Sequence, residues 1–289
     1  MKILQFYEIK EKPVISLEFF PPKDREAFDR TVDELVLLKP DYVTVTFGAG
    51  GSTREGSYQT VKKLIEDKNL PVVAYIAGYG LSPKEITDVL DKYQALGIGT
   101  IFVIRGDKPR EADFQPHPDS FTYAFEMIEF IKERYDFTLG CAGYPEGHLE
   151  AESIEADIAH LKLKIDSGAE YIVTQYCYNN GIYAAFVEKC RTAGITVPII
   201  PGIMPVYSIK MTNMLSTLCG ASVPVEMRQH LDSLAEAGAE AVLDYGIDQA
   251  VAHCRGLLQQ NVPGLHFYTM DRSRSTSEII RRLKADNLL

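Results

Sequence analysis

Several features that mark other classes of protein are missing from this 289-residue sequence. No apolar run approaches the roughly 20 residues that a membrane-spanning helix needs, and the N-terminal segment MKILQFYEIKEK lacks the apolar centre of a signal peptide. The formal net charge is −10 and no basic stripe is visible, which argues against nucleic acid as a ligand. We therefore expect neither a membrane role nor a nucleic-acid role.

Cysteine is sparse as well, and its five positions form no pattern. The cysteines are odd in number and widely spaced, so they fit neither a disulfide framework nor a zinc-binding C-x-x-C arrangement. The six histidines show no H-E-x-x-H pairing, and no metal site is predicted. Buried structural thiols in a reducing cytoplasm are the better interpretation. The cysteines are Cys141, Cys177, Cys190, Cys219 and Cys254.

The chain contains no Pro/Gly/Ser-rich linker and no low-complexity tract, which predicts one domain over residues 1–289. Eight β-then-α units follow one another and predict an α/β fold, a single-domain (β/α)8 TIM barrel, with an open doubly wound sheet as the alternative. The strand candidates are 14–20, 42–47, 71–77, 100–105, 138–144, 171–176, 197–203 and 264–270. Helix-like segments include 24–38, 82–96, 121–135, 153–168 and 274–285, with further helical pattern through 224–260.

Local signals predict some of the helix ends. Ser82 followed by Pro83 and Glu85 is typical of an N-cap with a capping box and a proline at the first helical position. Gly97 and Gly168 follow amphipathic segments directly, as glycines that end helices do.

One carboxylate stands inside an apolar strand. In the run VISLEFFPP (14–22), two prolines end the strand, so Glu18 lies near the carboxyl end of the first strand. A carboxylate in a low-dielectric setting must be paired or take up a proton. At the strand ends where parallel α/β proteins keep their chemistry, a protonated carboxyl can act as a general acid. A structural ion pair inside the sheet is the alternative.

A glycine-rich segment, GAGGST (48–53), follows the second predicted strand. It contains G-x-G, but Thr53 stands where the dinucleotide-binding fingerprint G-x-G-x-x-G requires a third glycine. The P-loop pattern is absent too. A flexible loop at a barrel mouth, open to close approach by a ligand, is the better interpretation.

Polar residues gather where the predicted strands end. Since these ends converge on one mouth of a (β/α)8 barrel, their side chains are expected to lie together and to form a pocket for a polar, flat, heteroaromatic ligand. The residues are Glu18, Thr46, Tyr75, Arg105, Gly106, Asp107, Tyr144, His148, Gln175, Tyr268 and Arg272. Asp157, His160 and Lys164 share a helix face, which is interpreted as solvated, with a phosphate contact from Lys164 as the alternative.

Seven segments around these residues carry a family resemblance. LEFFPPK, VTVTFGA, RGDKP, GYPEGH, EADIAHLKLKIDSGAEYIVTQ, IIPGIMPV and HFYTMDR occur in this order between about residues 14 and 272. Together they resemble 5,10-methylenetetrahydrofolate reductase of the short bacterial type. The resemblance implies a flavin-binding (β/α)8 barrel without the C-terminal regulatory domain of eukaryotic relatives. It also implies a cytoplasmic homo-oligomer.

The resemblance implies a ping-pong flavoenzyme, in which NADH or NADPH reduces FAD and the flavin then reduces 5,10-methylenetetrahydrofolate to 5-methyltetrahydrofolate. Glu18 resembles the general acid that protonates folate N10, and burial between aromatics such as Phe19 and Phe20 would keep it protonated. Asp107 resembles the acid beside the flavin and the pterin, whose charge favours the cation formed on ring opening. Substrate-side positions are Gln175, Tyr268 and Arg272. Positions that match FAD contacts are Thr46, Tyr75, Arg105, Gly106, Asp107, Tyr144, His148, Asp157 and Lys164.

The sequence departs from the family pattern at two positions. Tyr75 stands where relatives carry a FAD-contacting histidine, and Leu215 stands where relatives can place a phenylalanine that stacks on the reductant or the folate. Two other functions stay open beside the reductase. One is a folate-dependent barrel methyltransferase, or a pterin-binding barrel without flavin. The other is a flavin- or folate-binding subunit that takes electrons from a partner protein.

Overall fold

The computed structural model describes residues 1–9, 11–48, 54–108 and 114–289. Most of the glycine-rich segment (49–53) and the proline of RGDKP lie outside these ranges. The strands are β1 (Val14–Phe19), β2 (Tyr42–Val45), β3 (Val72–Ala77), β4 (Thr100–Ile104), β5 (Thr138–Gly143), β6 (Tyr171–Thr174), β7 (Ile199–Ile200), β8 (Gly202–Ile203) and β9 (Gly264–Tyr268). The helices are α1 (Leu4–Ile9), α2 (Arg25–Val36), α3 (Arg54–Glu66), α4 (Pro83–Ala95), α5 (Ala124–Lys132), α6 (Ile154–Asp166), α7 (Asn180–Thr192), α8 (Ile209–Cys219), α9 (Val225–Ser233), α10 (Ala239–Gln259) and α11 (Ser273–Ala285).

Within the described residues, the strands form one parallel sheet in the order β7-β6-β5-β4-β3-β2-β1-β9-β8. Only Pro201 separates β7 from β8, so the predicted strand 197–203 exists as two short pieces. The first piece pairs with β6 and the second with β9, and between them the Pro201 carbonyl accepts a hydrogen bond from the His266 N–H at 3.1 Å. Proline has no N–H to continue a ladder, which explains the break. The two edges of the sheet meet through this bent strand, and the predicted (β/α)8 barrel is confirmed.

Side chains on β1 alternate between the helical layer and the barrel interior, as strand geometry requires. Phe19 packs edge-on against Phe28 of α2, with ring centroids 5.7 Å apart. Ser16 and Glu18 point the other way, towards His266 inside the barrel. The expectation that Phe19 shields Glu18 is therefore wrong, because adjacent residues on a strand face opposite sides.

The barrel interior is filled by aromatic rings. Tyr75 stacks on Phe102 with centroids 4.6 Å apart, and Phe102 lies 5.9 Å from the ring of Tyr171. Gly140 makes room for this last ring, since a Cβ at that position would lie 2.2 Å from Tyr171 Cζ. With the interior packed in this way, the mouth is the end of the barrel at which a ligand site is expected.

α1, which the sequence analysis did not predict, lies at the end of the barrel where the strands begin. The Ile3 N–H donates a hydrogen bond to Thr100 Oγ1 at the start of β4, at 3.1 Å. The hydroxyls of Tyr7 and Tyr42 are 2.8 Å apart, and Tyr42 is the first residue of β2. α1 therefore covers the barrel end opposite the mouth.

Several local predictions are confirmed. Ser82 caps α4 with a complete capping box and Pro83 in the first turn. Gly97 and Gly168 have φ of 78° and 115° just after α4 and α6, in the left-handed region that favours glycine. The helical pattern in 224–260 corresponds to α9 and α10, whereas the segment predicted as 121–135 is helical only over α5. All five cysteines are free and all but one of them buried.

The turn after β9 ties down the end of β1. The Thr269 hydroxyl donates to the Glu18 carbonyl at 2.5 Å, and the Asp271 carboxylate accepts from the Phe20 N–H at 3.1 Å. Met270 and Asp271 both have positive φ, 51° and 52°, a conformation that costs non-glycine residues about 1–3 kcal/mol each. Such strain persists only where surrounding contacts enforce it, so the position of Glu18 is strongly determined.

Asp271 should make the stability of the protein depend on pH. Burial, and to a lesser degree the charge of Glu18, raises the pKa of the Asp271 carboxyl to about 6. Since the folded state binds this proton more tightly than the unfolded chain does, the favourable contribution is complete below about pH 4 and is lost as the pH rises through 6. We expect Asp271→Asn to raise the free energy of unfolding by about 1–3 kcal/mol at pH 8 and to change it little at pH 4.

Urea unfolding at the two pH values measures this difference. The substitution keeps an oxygen that can accept from the Phe20 N–H. Asp232→Asn, on the exposed side of α9, is the matched control and should leave both values unchanged. Destabilisation at pH 8, or an equal effect at both pH values, would contradict the prediction.

Candidate active site

Glu18 lies at the mouth end of β1 and is 5% exposed. Its Oε2 is 3.7 Å from Nε2 of His266. Among the described residues, His266 is the ion-pair partner of Glu18. That distance exceeds a hydrogen bond, so a tight structural ion pair does not account for the buried carboxyl. Burial raises the pKa of both Tyr75 and Tyr268, and the charge of Glu18 raises it further. The carboxyl therefore points into an aromatic, water-poor mouth.

His266 is fully buried beside Glu18 and was missed by the sequence analysis. Its Nδ1 is 2.8 Å from Ser16 Oγ, and its ring stands at 87° to that of Tyr268. Its Nε2 has no hydrogen-bond partner within the described ranges. Alternation along β9 could have revealed it, because His266 is two residues before Tyr268 and so faces the same side.

Tyr268 spans the mouth from β9 to β6. Its hydroxyl donates to the Thr174 carbonyl at 2.8 Å. Gly202 provides the space, since a Cβ there would lie 2.5 Å from Tyr268 Cε2 and 2.3 Å from Thr174 O. The contact holds the aromatic ring across the point where the barrel closes.

Arg272 lies exposed at the rim, with its guanidinium 5.4 Å from the centroid of the Tyr207 ring. The Tyr207 hydroxyl in turn donates to the Thr269 carbonyl at 2.8 Å. This contact connects Arg272 to the turn that fixes Glu18, and it leaves the guanidinium accessible to a ligand.

Thr46 and Gln175 supply uncharged polar groups at the mouth. Thr46 is 6% exposed, and in the part of the chain that the structure describes its hydroxyl has no hydrogen-bond partner. Gln175 Oε1 accepts from the N–H of Tyr176 at 3.1 Å, so its NH2 group is the side available as a donor. A buried hydroxyl without a protein partner is expected to bond to water or to a ligand.

Gly106 and Asp107 follow β4 at the rim. Gly106 has φ of 85°, and a Cβ there would approach the Cβ of Ala77 to 3.0 Å. Asp107 is exposed, yet its charge contributes to the raised pKa of Tyr144, after burial and the charge of Asp157. The charge of Asp107 therefore lies close enough to act on Tyr144, the residue that follows β5.

A cavity of about 500 Å3 opens beside the mouth, between the ends of β4 and β5 and the helix α6. Predicted site residues that line it are Arg105, Tyr144, His148, Asp157 and Lys164. The expectation of a solvated face for Asp157, His160 and Lys164 is confirmed for His160, which is exposed, and is wrong for Asp157, which is only 8% exposed; all three residues line the cavity.

The polar groups of this cavity are held in place by the protein. Asp157 Oδ2 accepts from the His148 N–H at 3.3 Å, and burial raises the pKa of Asp157 against the opposing effect of Lys164. Lys164 donates to the Ala142 carbonyl at 2.8 Å, and Arg105 pairs with Glu150 at 2.6 Å. The cavity thus presents two fixed cationic groups.

An aromatic surface adjoins these cations. Tyr123 stacks on His160 with centroids 5.5 Å apart and on Phe125 with centroids 5.6 Å apart. Tyr123 is 45% exposed, which leaves part of its ring free to contact a planar group. All three residues line the cavity, and Tyr123 and Phe125 were not predicted as site residues, although FTYAF (121–125) places both of them just where α5 begins.

Other potential sites are less informative. In the ranges that the structure covers, no three His, Cys, Asp or Glu side chains cluster in a way that could hold a metal ion. None of the helices in those ranges has the length and apolar character needed to span a membrane. A second cavity, of about 700 Å3, lies among α7, α9 and α10 and is not lined by Glu18.

Comparison with solved structures matches the fold over nearly the whole chain. An uncharacterized protein from Clostridium thermocellum, described as binding two copies of 5-methyl-5,6,7,8-tetrahydrofolic acid, aligns with a TM-score of 0.68 at 17% identity, covering 99% of both chains. A dihydropteroate synthetase aligns with a TM-score of 0.54 at 10% identity, covering 96% of both chains. At these identities the likeness concerns the fold.

Comparison with proteins of similar sequence is more specific than comparison of folds. The chain is 32% identical over 279 residues to 5,10-methylenetetrahydrofolate reductase of Escherichia coli (strain K12), covering 96% of this chain and 92% of that protein. It is 33% identical over 280 residues to methylenetetrahydrofolate reductase 1 of Schizosaccharomyces pombe, covering 95% of this chain and 46% of that protein. It is 31% identical over 287 residues to a probable methylenetetrahydrofolate reductase (NADH) of Oryza sativa subsp. japonica, covering 94% of this chain and 48% of that protein.

The chain therefore spans about half the length of the yeast and rice relatives and nearly all of the bacterial one. A family model described as methylenetetrahydrofolate reductase matches residues 2–284. On this match and on the similarity to the bacterial protein, the chain belongs to the methylenetetrahydrofolate reductase family.

Proposed function

We propose that the protein reduces 5,10-methylenetetrahydrofolate to 5-methyltetrahydrofolate, with NADH or NADPH as the reductant and FAD as the hydride carrier in a ping-pong reaction. The observation that carries the proposal is the inward-facing, nearly buried carboxyl of Glu18 at the barrel mouth. The names of the bacterial and plant relatives support the substrate and the nicotinamide. The Clostridium thermocellum protein of the same fold, which is described as binding 5-methyl-5,6,7,8-tetrahydrofolic acid, supports a folate as the ligand.

The residues present fit a flavin dinucleotide. Arg105 and Lys164 offer positive charge to a diphosphate, and the exposed ring of Tyr123 offers a stacking surface to an adenine. The buried hydroxyl of Thr46, which has no partner within the described residues, offers a hydrogen bond to a flat polar ring at the mouth. Gly106 lets the backbone approach such a ring closely. His148 and Asp157 line the same cavity.

Bound FAD would supply the hydride chemistry that no side chain can supply, accepting hydride from the nicotinamide and giving it to the folate. The chain contributes the proton: Glu18 protonates N10 of the folate, which opens the five-membered ring to a 5-iminium cation. The negative charge of Asp107 at the same rim stabilises that cation. The NH2 group of Gln175, the ring of Tyr268 and the guanidinium of Arg272 hold the substrate.

Tyr75 contributes to the same proton chemistry. Its ring is fixed by stacking on Phe102, and a side-chain hydrogen bond with Glu18 adds to its raised pKa. Its hydroxyl thus helps to orient the carboxyl of Glu18, in addition to the FAD contact expected at this position. Leu215, half-buried on α8, offers a smaller apolar surface than a phenylalanine would.

Spectroscopy of the purified protein tests the proposed function and separates it from the alternatives. We expect a yellow protein that absorbs at about 450 nm, is bleached anaerobically by NADH or NADPH, and is reoxidised by 5,10-methylenetetrahydrofolate. A colourless protein that binds no added FAD would indicate a methyltransferase or a pterin-binding barrel instead. Bound flavin that neither nicotinamide reduces would indicate a subunit that depends on a partner protein.

Glu18→Gln should separate the two half-reactions. Glutamine keeps the shape but cannot donate an acidic proton, so folate reduction should fall by roughly 10²–10⁴-fold while flavin reduction by the nicotinamide changes little. Anaerobic stopped-flow measures each half-reaction on its own. Glu188→Gln, on the exposed side of α7, is the control and should affect neither. Equal loss in both half-reactions would contradict the role of Glu18 as the acid.

Asp107→Asn should slow folate reduction by about 10- to 100-fold and flavin reduction by less, because the positive charge develops on the folate. The same stopped-flow experiment measures both rates. Asp107→Glu keeps the charge and should restore part of the folate rate. If both half-reactions slow equally, or if glutamate restores nothing, stabilisation of a cation by Asp107 is wrong.

A further inference from the structure

A line of polar side chains runs through the barrel core from its lower end to Glu18. Tyr42, Ser16 and His266 occupy the same level on three adjacent strands, since Ser16 is in register with Tyr42 of β2 and with His266 of β9. Ser16 and His266 are fully buried, and so is Tyr42. Three fully buried polar side chains, in register on adjacent strands, call for an explanation.

The side chains follow one another from α1 to His266. The hydroxyls of Tyr7 and Tyr42 are 2.8 Å apart. Tyr42 is in register with Ser16 on the adjacent strand, and Ser16 Oγ is 2.8 Å from Nδ1 of His266. Burial raises the pKa of Tyr42, and an interaction with the Ser16 side chain opposes that effect. The other ring nitrogen of His266, Nε2, lies 3.7 Å from Glu18 Oε2. A shift of about 1 Å in the carboxyl brings this last pair within hydrogen-bond distance.

We propose that Tyr7, Tyr42, Ser16 and His266 form a proton relay that returns a proton to Glu18 from the barrel end opposite the substrate. The inference rests on the proposed function, because it requires Glu18 to give up a proton in each turnover. The four residues act through Glu18 and do not touch the substrate.

Folate reduction consumes one proton as well as one hydride, and the proton that reaches N10 leaves Glu18 as a carboxylate. Glu18 is 5% exposed, and a folate stacked at the mouth would separate it from the water above. In the relay, His266 Nε2–H returns a proton to the carboxylate and Nδ1 takes one from Ser16; before the next turnover the hydroxyls reorient and the imidazole ring turns over, which again presents an N–H to Glu18. Ser16 is resupplied by Tyr42, Tyr42 by Tyr7, and Tyr7 by solvent, so one proton enters for each one spent.

The outer end of the relay lies beside a cavity at the end of the barrel opposite the mouth. Tyr7 is only half-buried and lines a cavity of about 580 Å3 at the lower end of the barrel. Lys132 and Glu170 line the same cavity and pair with each other at 2.6 Å. Hydroxyl chains conduct protons by exchanging hydrogen bonds and need no ionised tyrosine, so burial of the rings does not block the path.

Tyr171 provides a matched control inside the same barrel. It is fully buried, and its hydroxyl has no hydrogen-bond partner within the described ranges. Tyr171→Phe therefore removes a buried hydroxyl but no residue of the relay. Tyr42→Phe removes the hydroxyl that links Tyr7 to Ser16.

Proton uptake measured beside flavin oxidation tests the relay. The fully reduced holoenzyme is mixed anaerobically with 5,10-methylenetetrahydrofolate in weak buffer that contains a pH-indicator dye. In Tyr42→Phe we expect flavin oxidation at the normal rate, since the proton for N10 comes from Glu18 itself and the relay acts only afterwards, followed by proton uptake that is about tenfold slower. Tyr171→Phe should match the unmodified protein in both signals. Tyr7→Phe removes the outer end at a half-exposed position and should repeat the effect if Tyr42→Phe fails to fold.

A second readout does not depend on turnover. Imidazole ¹⁵N shifts of His266 report the hydrogen bond at Nδ1, and Ser16→Ala and Tyr42→Phe should both alter them, whereas Tyr171→Phe should not. Unchanged shifts in Tyr42→Phe would show that the line is broken before it reaches His266, which overturns the relay.

The outcomes separate the relay from the proposed function. Normal proton uptake in Tyr42→Phe means that water reaches Glu18 through the mouth, and the relay is wrong. Flavin oxidation and proton uptake slowed together mean that Tyr42 only positions Glu18, and the relay is again wrong. Folate reduction that survives Glu18→Gln means that Glu18 is not the acid, so the relay has no acid to serve, although the protein is still a reductase. The proposed function itself fails only if the unmodified protein binds no flavin or does not reduce 5,10-methylenetetrahydrofolate.

Discussion

The structure depends on holding one carboxyl inside an apolar barrel, just below its mouth. β1 is hydrogen-bonded on both sides, so the height of Glu18 is set by its register with Thr44 on β2 and Tyr268 on β9. Burying a charge costs several kcal/mol unless the surroundings compensate for it or a proton neutralises it. Here the compensation is incomplete, since the nearest cationic candidate is the imidazole of His266 at 3.7 Å. The carboxyl is fixed in position but not neutralised by a tight ion pair.

Closure of the barrel brings the parts of the site together. Gln175 follows β6 and Tyr268 ends β9, strands that are far apart in the chain and are joined only through the bent piece at Pro201. The hydrogen bond from Tyr268 to the Thr174 carbonyl crosses that closure. The cationic cavity lies on the β4 and β5 side, and the acid lies on the β1 and β9 side. A ligand with a charged tail and a flat ring can therefore reach across the mouth from one side to the other.

Sequence patterns located the strands and the residues at their ends, because period-two apolar runs and their stop signals are local. The same patterns could not show that Tyr75 and Tyr268, and not Phe19, surround Glu18, since that neighbourhood is formed by strands distant in the chain. α1 escaped prediction because one and a half turns carry little periodic signal. The interruption of the strand between β7 and β8 was predictable, because Pro201 has no N–H. The inward position of His266 was predictable too, because it lies two residues before Tyr268 on the same strand. The aromatic surface at Tyr123 needed the packing of α5 against α6.

The barrel interior argues that polarity below Glu18 is organised and not incidental. Aliphatic side chains at the level of Ser16 would avoid the cost of burying three polar groups, which is offset only when every hydrogen bond is made. The hydroxyl of Tyr42 bonds to that of Tyr7, and Ser16 Oγ bonds to Nδ1 of His266, so that in the described ranges Nε2 of His266 is left without a partner on the side that faces Glu18. Tyr171, in the same interior, keeps a hydroxyl without a partner among the described residues, which shows that the fold tolerates an isolated polar atom. The polar line from Tyr7 to His266 is thus a property of specific residues and ends on the acid.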